Sequence, residues 1–581
     1  MSRAILLATL AFILLLACAP VRKPGAAPSE AGSTARIESS AFNPLIGAYQ
    51  LESGGYITIS RSDINSQIFY YDPDDRPRVF LHPISGAEFL SSRNEHLTVI
   101  YDAPGNVTGL VFQDPEGRQE TARRVKLYQM EEVRFGHNGV TLAGTLFTPL
   151  AYGPHPAVVF AHGSAPHERW HQVSMAQFFA RHGIAVLIYD KRGRGESTGD
   201  FSTAGIEALA ADALAGVGYL QTRAEIQPDR IGLWGTSQGA WVVSLAASQS
   251  DEVAFVIAAS AAGMSIGEQV IWQTTNELHY LGYNAPMLEL NRKGWLLLYD
   301  SLPLHRKGIL PLPSFLWITR LDPHYSGLPA YQNIRQPLLI VQAGLDKQVP
   351  PRSSARLILE ANPQADVIFY PTAKHSMWLA GENGYEHEAV SEVRILPGYW
   401  QALIDWIFAA VDSSPRPVSN SAASQQVQDD YRPAGIDSLA WTQRASLHLA
   451  SILAFVLVFI SSAFSWLKFG LARRPSGKIR NLAGLIGLIN LIILAGFFVG
   501  LQDVLLHGDT GSPIPFLIFG YPPAWLAAML LAYISILTTI LLFIALVKAW
   551  QSRTKGLTRY ILVIVTELAF IPFMVYWRLL G

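Results

Sequence analysis

The sequence predicts an α/β domain with a parallel sheet, preceded by a small antiparallel β domain and followed by four transmembrane helices. Three observations carry this prediction. Apolar β-forming runs alternate with helical stretches between residues 131 and 412. Short alternating runs separated by turn signals fill residues 42–130. Residues 445–581 contain four apolar stretches, each near the ~20 residues needed to cross a bilayer.

The composition limits the kind of protein that the chain can be. Its 581 residues are too many for one domain and predict roughly three or four. Hydrophobic residues make up 50% and charged residues 15%, which is too apolar for a soluble protein and indicates a lipid bilayer as a partner. The 44 basic and 45 acidic residues balance, so nothing favours a nucleic acid partner. The composition carries no signal about oligomeric state.

Residues 1–18 have the parts of a secretory signal. Arg3 precedes a short apolar core that ends in Leu-Leu-Ala-Cys, which resembles the lipobox of bacterial lipoproteins. That resemblance implies that Cys18 is lipidated after cleavage. The alternative is an uncleaved anchor helix that ends in a buried cysteine, and both versions export the domain that comes next in the chain. Because Cys18 is the single cysteine, the chain can form neither an intrachain disulfide nor a thiolate metal cluster.

Residues 19–41 form a predicted flexible tether, since Pro, Ala, Gly and Ser dominate and no apolar period is present. The small antiparallel β domain follows at residues 42–130, with turn signals between its strands. Its strands are predicted at 56–59, 68–71, 97–101 and 108–112. The domain loosely resembles accessory β modules of some bacterial hydrolases, and it contains no recognisable catalytic set.

The α/β domain at residues 131–412 opens with a predicted hairpin at 131–149 and continues with strands that are apolar along their whole length. Such strands imply a parallel sheet covered on both faces. They are predicted at 157–160, 184–189, 231–234, 253–258, 337–341 and 367–370. An insert at 264–336, rich in Leu, Trp and Tyr, interrupts the alternation and is expected to form a helical cap over the sheet. A polar linker follows at 413–444.

The sequence Gly-Thr-Ser-Gln-Gly at 235–239 lies directly between a predicted strand and a predicted helix. Small residues two positions either side of Ser237 allow the strand and the helix to approach closely, which holds the serine on a strained turn and exposes its hydroxyl. The alternative is a strand-to-helix turn without chemistry. A catalytic serine is favoured over a turn without chemistry only if an acid and then a histidine follow it in the chain.

Three further segments accompany this serine motif, each at the end of a predicted strand. The first is His-Gly-Ser at 162–164, and the second is the loop Asp-Lys-Arg-Gly-Arg-Gly-Glu-Ser at 190–197. The third is the pair Asp346 and His375, which follow two late strands. Together these segments resemble the α/β-hydrolase superfamily over about residues 131–410. The resemblance implies an α/β-hydrolase fold.

The chemistry explains why these residue types occur together. The Ser237 hydroxyl is a weak nucleophile and needs an adjacent base, which His375 can provide. Asp346 would orient the imidazole and stabilise the imidazolium that forms. The resemblance implies that the backbone N–H groups of Gln238 and Ser164 bind the developing oxyanion. The predicted catalytic residues are therefore Ser237, Asp346 and His375.

Other polar residues of this region have structural interpretations. Asp322 is a rival acid, but it precedes a strand and is expected to cap or turn the chain. Three histidines, His162, His167 and His171, lack a nearby carboxylate set at ligand spacing, so we predict no metal and no cofactor. The first and third residues of the Asp-Lys-Arg loop, Asp190 and Arg192, are expected to order that loop rather than to catalyse.

Four transmembrane helices are predicted at 447–467, 482–501, 524–547 and 560–577. The two outer connections contain Lys and Arg, whereas the middle connection contains neither. The positive-inside rule therefore places the basic connections in the cytoplasm and the catalytic domain outside, in a bacterial cytoplasmic membrane. Glu567, near the middle of the last helix, is expected to face the bundle, either protonated or bonded to Asn490, and the alternative is a packing role only.

The sequence thus predicts an exported, membrane-anchored serine hydrolase that cleaves carboxylic esters or thioesters, with an apolar acyl group favoured. A serine peptidase that cleaves amides is the alternative within the same superfamily. A non-catalytic sensor coupled to the membrane helices is an alternative of another class, and the complete Ser237, Asp346 and His375 set argues against it. A transporter has little support, because the four helices show no obvious internal repeat.

Overall fold

The computed structural model describes residues 39–62, 67–71, 78–310, 322–385, 394–417, 429, 431–471, 477–507, 515–554 and 556–580. The predicted signal, most of the predicted tether and Cys18 lie outside the described residues. The chain divides into two compact units. The sheet unit contains the described residues of Glu30–Gln269 and Arg320–Arg432. The helical unit contains the described residues of Val270–Thr319 and Pro433–Gly581.

The sheet unit begins with a closed antiparallel barrel of eight strands. They are β1 (Gly47–Leu51), β2 (Tyr56–Ser62), β3 (Gln67–Tyr71), β4 (Val79–Pro83), β5 (Glu88–Ser91), β6 (His96–Tyr101), β7 (Val107–Gln113) and β8 (Gln119–Val125). The barrel closes because β1 pairs with β8 as well as with β2. Alternate side chains such as Ile59, Phe89 and Leu110 fill its interior. The predicted antiparallel β domain is therefore confirmed, and its closure is an addition to that prediction.

An eight-stranded sheet follows, in the order β16-β15-β14-β13-β11-β12-β10-β9. Its strands are β9 (Tyr128–His137), β10 (Val140–Pro149), β11 (His155–Ala161), β12 (Ala185–Tyr189), β13 (Ile226–Thr236), β14 (Val256–Ala259), β15 (Leu338–Ala343) and β16 (Asp366–Tyr370). The first two form the predicted hairpin, and the other six run parallel to one another. All six predicted parallel strands are thus confirmed.

Helices pack on the parallel strands and bury both faces of the sheet. They are α1 (Val173–Arg181), α2 (Ile206–Gln221), α3 (Gln238–Ser248), α7 (Pro351–Ala361) and α8 (Tyr399–Val411). The short helix α6 (Leu328–Asn333) contacts α3 and α7. Two further helices are α4 (Ile266–Tyr280) and α5 (Ala285–Arg306). Every residue of β11, β12, β14 and β15 is buried, which explains why these strands are apolar throughout rather than alternating.

The barrel contacts helix α1, which packs on the sheet, through buried polar groups. Gln177 donates from Nε2 to Ile59 O at 3.2 Å, and its Oε1 accepts from the Ser60 hydroxyl at 2.5 Å. The Tyr71 hydroxyl donates to Ser174 O at 3.1 Å. Because buried polar groups are costly without partners, these bonds fix the register of the barrel against α1.

The helical unit contains four helices that are long and apolar enough to cross a membrane. They are α9 (Ala445–Leu471), α10 (Lys478–His507), α11 (Pro523–Gln551) and α12 (Thr558–Tyr576). The four predicted apolar helices are confirmed within the described part of the chain. Their inward faces share one cluster of apolar side chains, whereas many side chains on the outer faces are exposed, as expected of helices in contact with lipid.

A buried polar cluster joins three of these helices. Asn490 on α10 donates from Nδ2 to Glu567 Oε2 on α12, which is one of the two possibilities that the sequence left open for this carboxyl group. The Ser535 hydroxyl on α11 lies 2.7 Å from Asn490 Oδ1 and 3.0 Å from Glu567 Oε1. All three side chains are buried, so the carboxyl group is satisfied by the bundle rather than exposed to lipid.

The described residues of the predicted insert at 264–336 include the helices α4, α5 and α6, and its parts belong to different units. Helix α5 packs against the four long apolar helices. Tyr283, just before α5, donates to Asp503 Oδ2 at 2.6 Å, and Lys293 donates from Nζ to Tyr576 O at 2.6 Å. Its apolar residues Met287 and Leu290 belong to the cluster of apolar side chains that the four long apolar helices share. This apolar face explains why the segment packs with the bundle, and a capping role over the sheet stays a prediction.

Candidate active site

Ser237 lies at the turn where β13 ends and α3 begins. Its backbone has φ 55° and ψ −120°, a conformation that L residues rarely adopt, and its N–H donates to Ala259 O at 2.9 Å. The flanking glycines make this turn possible. A Cβ on Gly235 would lie 2.2 Å from Gly239 O, and one on Gly239 would lie 2.9 Å from Ala161 O. The strained strand-to-helix turn that the sequence predicted is therefore present.

Asp346 and His375 follow β15 and β16 and lie in direct contact. His375 Nδ1 is 2.7 Å from Asp346 Oδ2, and both side chains are buried. The other carboxylate oxygen, Oδ1, accepts from the N–H groups of Gln348 at 2.7 Å and Val349 at 2.8 Å. Since a carboxylate can only accept, Nδ1 carries the proton, which leaves Nε2 of the neutral ring able to accept one.

Ser260, at the end of β14, connects the histidine loop to the strand beside Ser237. Its hydroxyl donates to His375 O at 2.6 Å, and its N–H donates to Val341 O at 2.8 Å. The preceding residue, Ala259, accepts from Ser237 N–H. Sequence analysis missed Ser260, although a serine directly after an apolar strand was a usable signal. The serine and histidine loops are thus held from one strand end.

The two residues predicted to supply oxyanion donors lie on either side of the serine turn. Gln238 is the first residue of α3, where backbone N–H groups have no partner within the helix. The turn that contains Ser164 lies beside the nucleophile position, because a Cβ on Gly163 would be 4.0 Å from Ser237 Cβ. Both segments therefore lie next to Ser237, and their role as oxyanion donors stays a prediction.

Asp322 is exposed and takes part in a turn. Its carboxylate accepts from the His324 N–H at 3.1 Å, and its carbonyl accepts from the Tyr325 N–H at 3.0 Å. This agrees with the interpretation of Asp322 as a turn residue.

The three neighbouring histidines have different surroundings. His162 donates from Nε2 to Tyr189 O, and burial lowers the pKa of His162 to about 3, so its ring is neutral at physiological pH. The rings of His167 and His171 stack with centroids 4.2 Å apart. Among the described residues, no three His, Cys, Asp or Glu side chains are grouped so that they could hold a metal ion.

Asp190 and Arg192 hold the loop after β12. Asp190 Oδ1 accepts from the Arg169 N–H and Oδ2 from the Glu196 N–H, both at 2.9 Å. Arg192 binds Asp212 through two N–H groups, at 2.7 and 2.6 Å. These contacts are those of loop-ordering residues, as the sequence indicated.

Comparisons with known proteins find similarity over the part of the chain that carries these residues. Residues 158–386 match the alpha/beta hydrolase family. A Mycobacterium tuberculosis protein of uncharacterised role is 27% identical over 239 residues, which are 41% of this chain and 69% of that protein. A thiohydrolase from Aspergillus aculeatus is 36% identical over 101 residues, 17% of this chain and 31% of the relative. An esterase structure from Pyrococcus furiosus covers 43% of this chain and 83% of its own, with 20% identity and a TM-score of 0.29. The family match therefore spans the segment of the chain that contains Ser237, Asp346 and His375.

Proposed function

We propose that the protein is an exported, membrane-anchored serine hydrolase that cleaves carboxylic esters or thioesters through an acyl-enzyme. The observation that carries the proposal is the 2.7 Å contact between His375 Nδ1 and Asp346 Oδ2 in a fold that presents Ser237 on a strained turn. A histidine fixed in this tautomer can act as a base through Nε2, which is the property that a serine nucleophile requires.

In the proposed reaction, Ser237 Oγ attacks the substrate carbonyl carbon while His375 Nε2 takes the hydroxyl proton. The tetrahedral oxyanion accepts hydrogen bonds from the N–H groups of Gln238 and Ser164, and Asp346 stabilises the imidazolium. The carbon–oxygen or carbon–sulfur bond then breaks, and His375 returns the proton to the leaving alcohol or thiol. Water, deprotonated by His375, attacks the acyl-enzyme and releases a carboxylic acid and free Ser237.

The substrate class rests on two lines of support. The Aspergillus aculeatus relative is a thiohydrolase, which favours acyl thioesters and esters over peptides. Anchoring beside a bilayer brings the enzyme close to amphipathic substrates, which favours apolar acyl groups. A serine peptidase would use the same Ser237, Asp346 and His375 chemistry, so substrate class has to be measured rather than derived from these residues.

A panel of substrates tests the proposal on the full chain in detergent. p-Nitrophenyl esters and acyl thioesters with two to twelve carbons are compared with aminoacyl p-nitroanilides. We expect kcat/KM for the best ester or thioester to exceed that for the best anilide by about 10²-fold or more. Higher kcat/KM on anilides would make the protein a peptidase, and no turnover of any substrate would favour the non-catalytic sensor.

The outward orientation of the catalytic domain leads to a labelling prediction. Cys18 is the only native cysteine, so single cysteines at Ser413 and Ser552, both exposed, report the side of the membrane. In intact spheroplasts an impermeant maleimide should label the residue-413 variant and not the residue-552 variant until the membrane is broken. The unsubstituted chain controls for Cys18 itself. The opposite pattern would place the hydrolase domain in the cytosol and contradict export.

A further inference from the structure

Lys191 is a buried cation beside the proposed oxyanion donors, and the reaction described above does not use it. Its side chain is almost completely buried, with 2% of the residue exposed. The ammonium donates to Gly163 O at 2.6 Å and to Gln238 Oε1 at 2.8 Å, with Ala165 O at 3.4 Å. The Phe201 ring lies 4.6 Å from Nζ. The ammonium thus contacts both segments that flank the Ser237 turn.

The contact with Gly163 acts on the Ser164 N–H through one peptide unit. The Gly163 carbonyl and the Ser164 N–H belong to the same trans peptide, in which the two groups point in opposite directions. An ammonium fixed on the carbonyl oxygen therefore also fixes the direction of the N–H. It polarises the peptide as well, which makes the N–H a stronger donor.

The contact with Gln238 reaches the second proposed donor. The Oε1 atom of Gln238 accepts from Lys191, while the backbone N–H of the same residue begins α3. Holding the side chain restrains the first residue of the helix and therefore the direction of its backbone N–H. One ammonium, with its three donors, therefore connects the two residues that would bind the oxyanion.

The loop around Lys191 is rigid enough for this role. The backbone N–H of Lys191 donates to His167 O at 3.2 Å. Its neighbours Asp190 and Arg192 are each fixed by two hydrogen bonds at 2.6 to 2.9 Å. A short, anchored backbone on both sides limits the positions that the ammonium can reach.

We infer that Lys191 is the positioning residue of the oxyanion hole, aligning the Ser164 and Gln238 N–H groups and adding a buried positive charge behind them. The inference rests on the proposed serine hydrolase function. Charge that develops on the substrate oxygen in the transition state would be stabilised more than the neutral ground state, so Lys191 should affect kcat rather than KM. From the sequence we predicted loop-ordering roles for Asp190 and Arg192 and no role for Lys191, which lies between them.

The test uses Lys191→Met in the full chain, because methionine keeps most of the side-chain length and removes the charge and the donors. We expect kcat for the best ester to fall about 10²-fold while KM changes by less than about threefold. The inhibition constant of a trifluoromethyl ketone, which mimics the tetrahedral intermediate, should rise by the same factor as kcat/KM falls. A structural role alone would not link these two quantities.

Lys293→Met is the matched control, since Lys293 makes an ammonium-to-carbonyl contact of the same 2.6 Å length in the helical unit. It should leave kcat and the inhibition constant unchanged. If Lys191→Met keeps kcat within about threefold of the unsubstituted enzyme, or loses kcat without weakening the ketone, the inference is wrong.

Gln238→Met provides a second route that does not depend on the folding of the Lys191 variant. It removes one acceptor of the ammonium and keeps the backbone N–H, and we expect a loss of kcat of about tenfold with KM unchanged. An unchanged kcat in this variant would overturn the inference. Failure of the proposed function is a separate result, because the unsubstituted protein would then neither hydrolyse the ester nor bind the ketone.

Discussion

Ser237→Ala is expected to lower kcat for ester hydrolysis by about 10⁶-fold, because removal of the nucleophile leaves only the oxyanion donors and substrate binding to assist attack by water. The substitution removes one oxygen atom from a turn whose backbone is fixed by Gly235 and Gly239, so the fold should remain intact. Steady-state kinetics with the best p-nitrophenyl ester measure the loss, and thermal unfolding checks the fold.

Ser244→Ala is a matched control on the same helix. The Ser244 hydroxyl is buried and donates to Ala240 O at 2.7 Å, so its loss removes a similar group that lies away from the reaction. The kcat of the Ser244→Ala variant should remain near that of the unsubstituted enzyme. Retention of more than about 1% of kcat by Ser237→Ala would mean that another group carries the reaction.

Asp346→Asn is expected to lower kcat by about 10⁴-fold. An asparagine can present its NH₂ group to His375 Nδ1, which favours the tautomer with the proton on Nε2 and removes the base that Ser237 needs. It also removes the negative charge that stabilises the imidazolium. The bonds from Gln348 and Val349 to Oδ1 can still form to the amide oxygen, so the local fold should persist.

Asp322→Asn separates this effect from the general loss of a carboxylate. Because Asp322 is exposed in a turn, kcat of the Asp322→Asn variant should stay within about twofold of kcat of the unsubstituted enzyme. An inactive Asp322 variant together with an active Asp346 variant would show that the acid has been assigned to the wrong residue.

Much of the sheet could be predicted from the sequence because its signals are local. Strands such as β12 are buried along their whole length, and their sequences are therefore unbroken runs of apolar residues. The turn at Ser237 could be predicted because the close approach of Gly235 to Gly239 excludes any side chain at both positions. The order of Ser237, Asp346 and His375 along the chain then indicated which strand ends meet at one edge of the sheet.

The rest depends on contacts between residues that are distant in sequence. Alternation predicts that β1 and β8 are strands, but not that they pair and close a barrel. The packing of Met287 and Leu290 on α5 among the four long apolar helices, which begin more than a hundred residues later, has no local signal in the sequence. The contacts of Lys191 with Gly163 and Gln238 likewise leave no periodic signal in the sequence.

The identity of the nucleophile is the central claim, and covalent labelling followed by peptide mapping tests it most directly. A fluorophosphonate phosphonylates a serine only when an adjacent base activates it. We expect one adduct, on the peptide that contains Ser237. The adduct should be lost in His375→Ala, and the labelling rate should be unchanged in Asp322→Asn. An adduct on a different serine, or no adduct on Ser237 in the folded protein, would contradict the central claim.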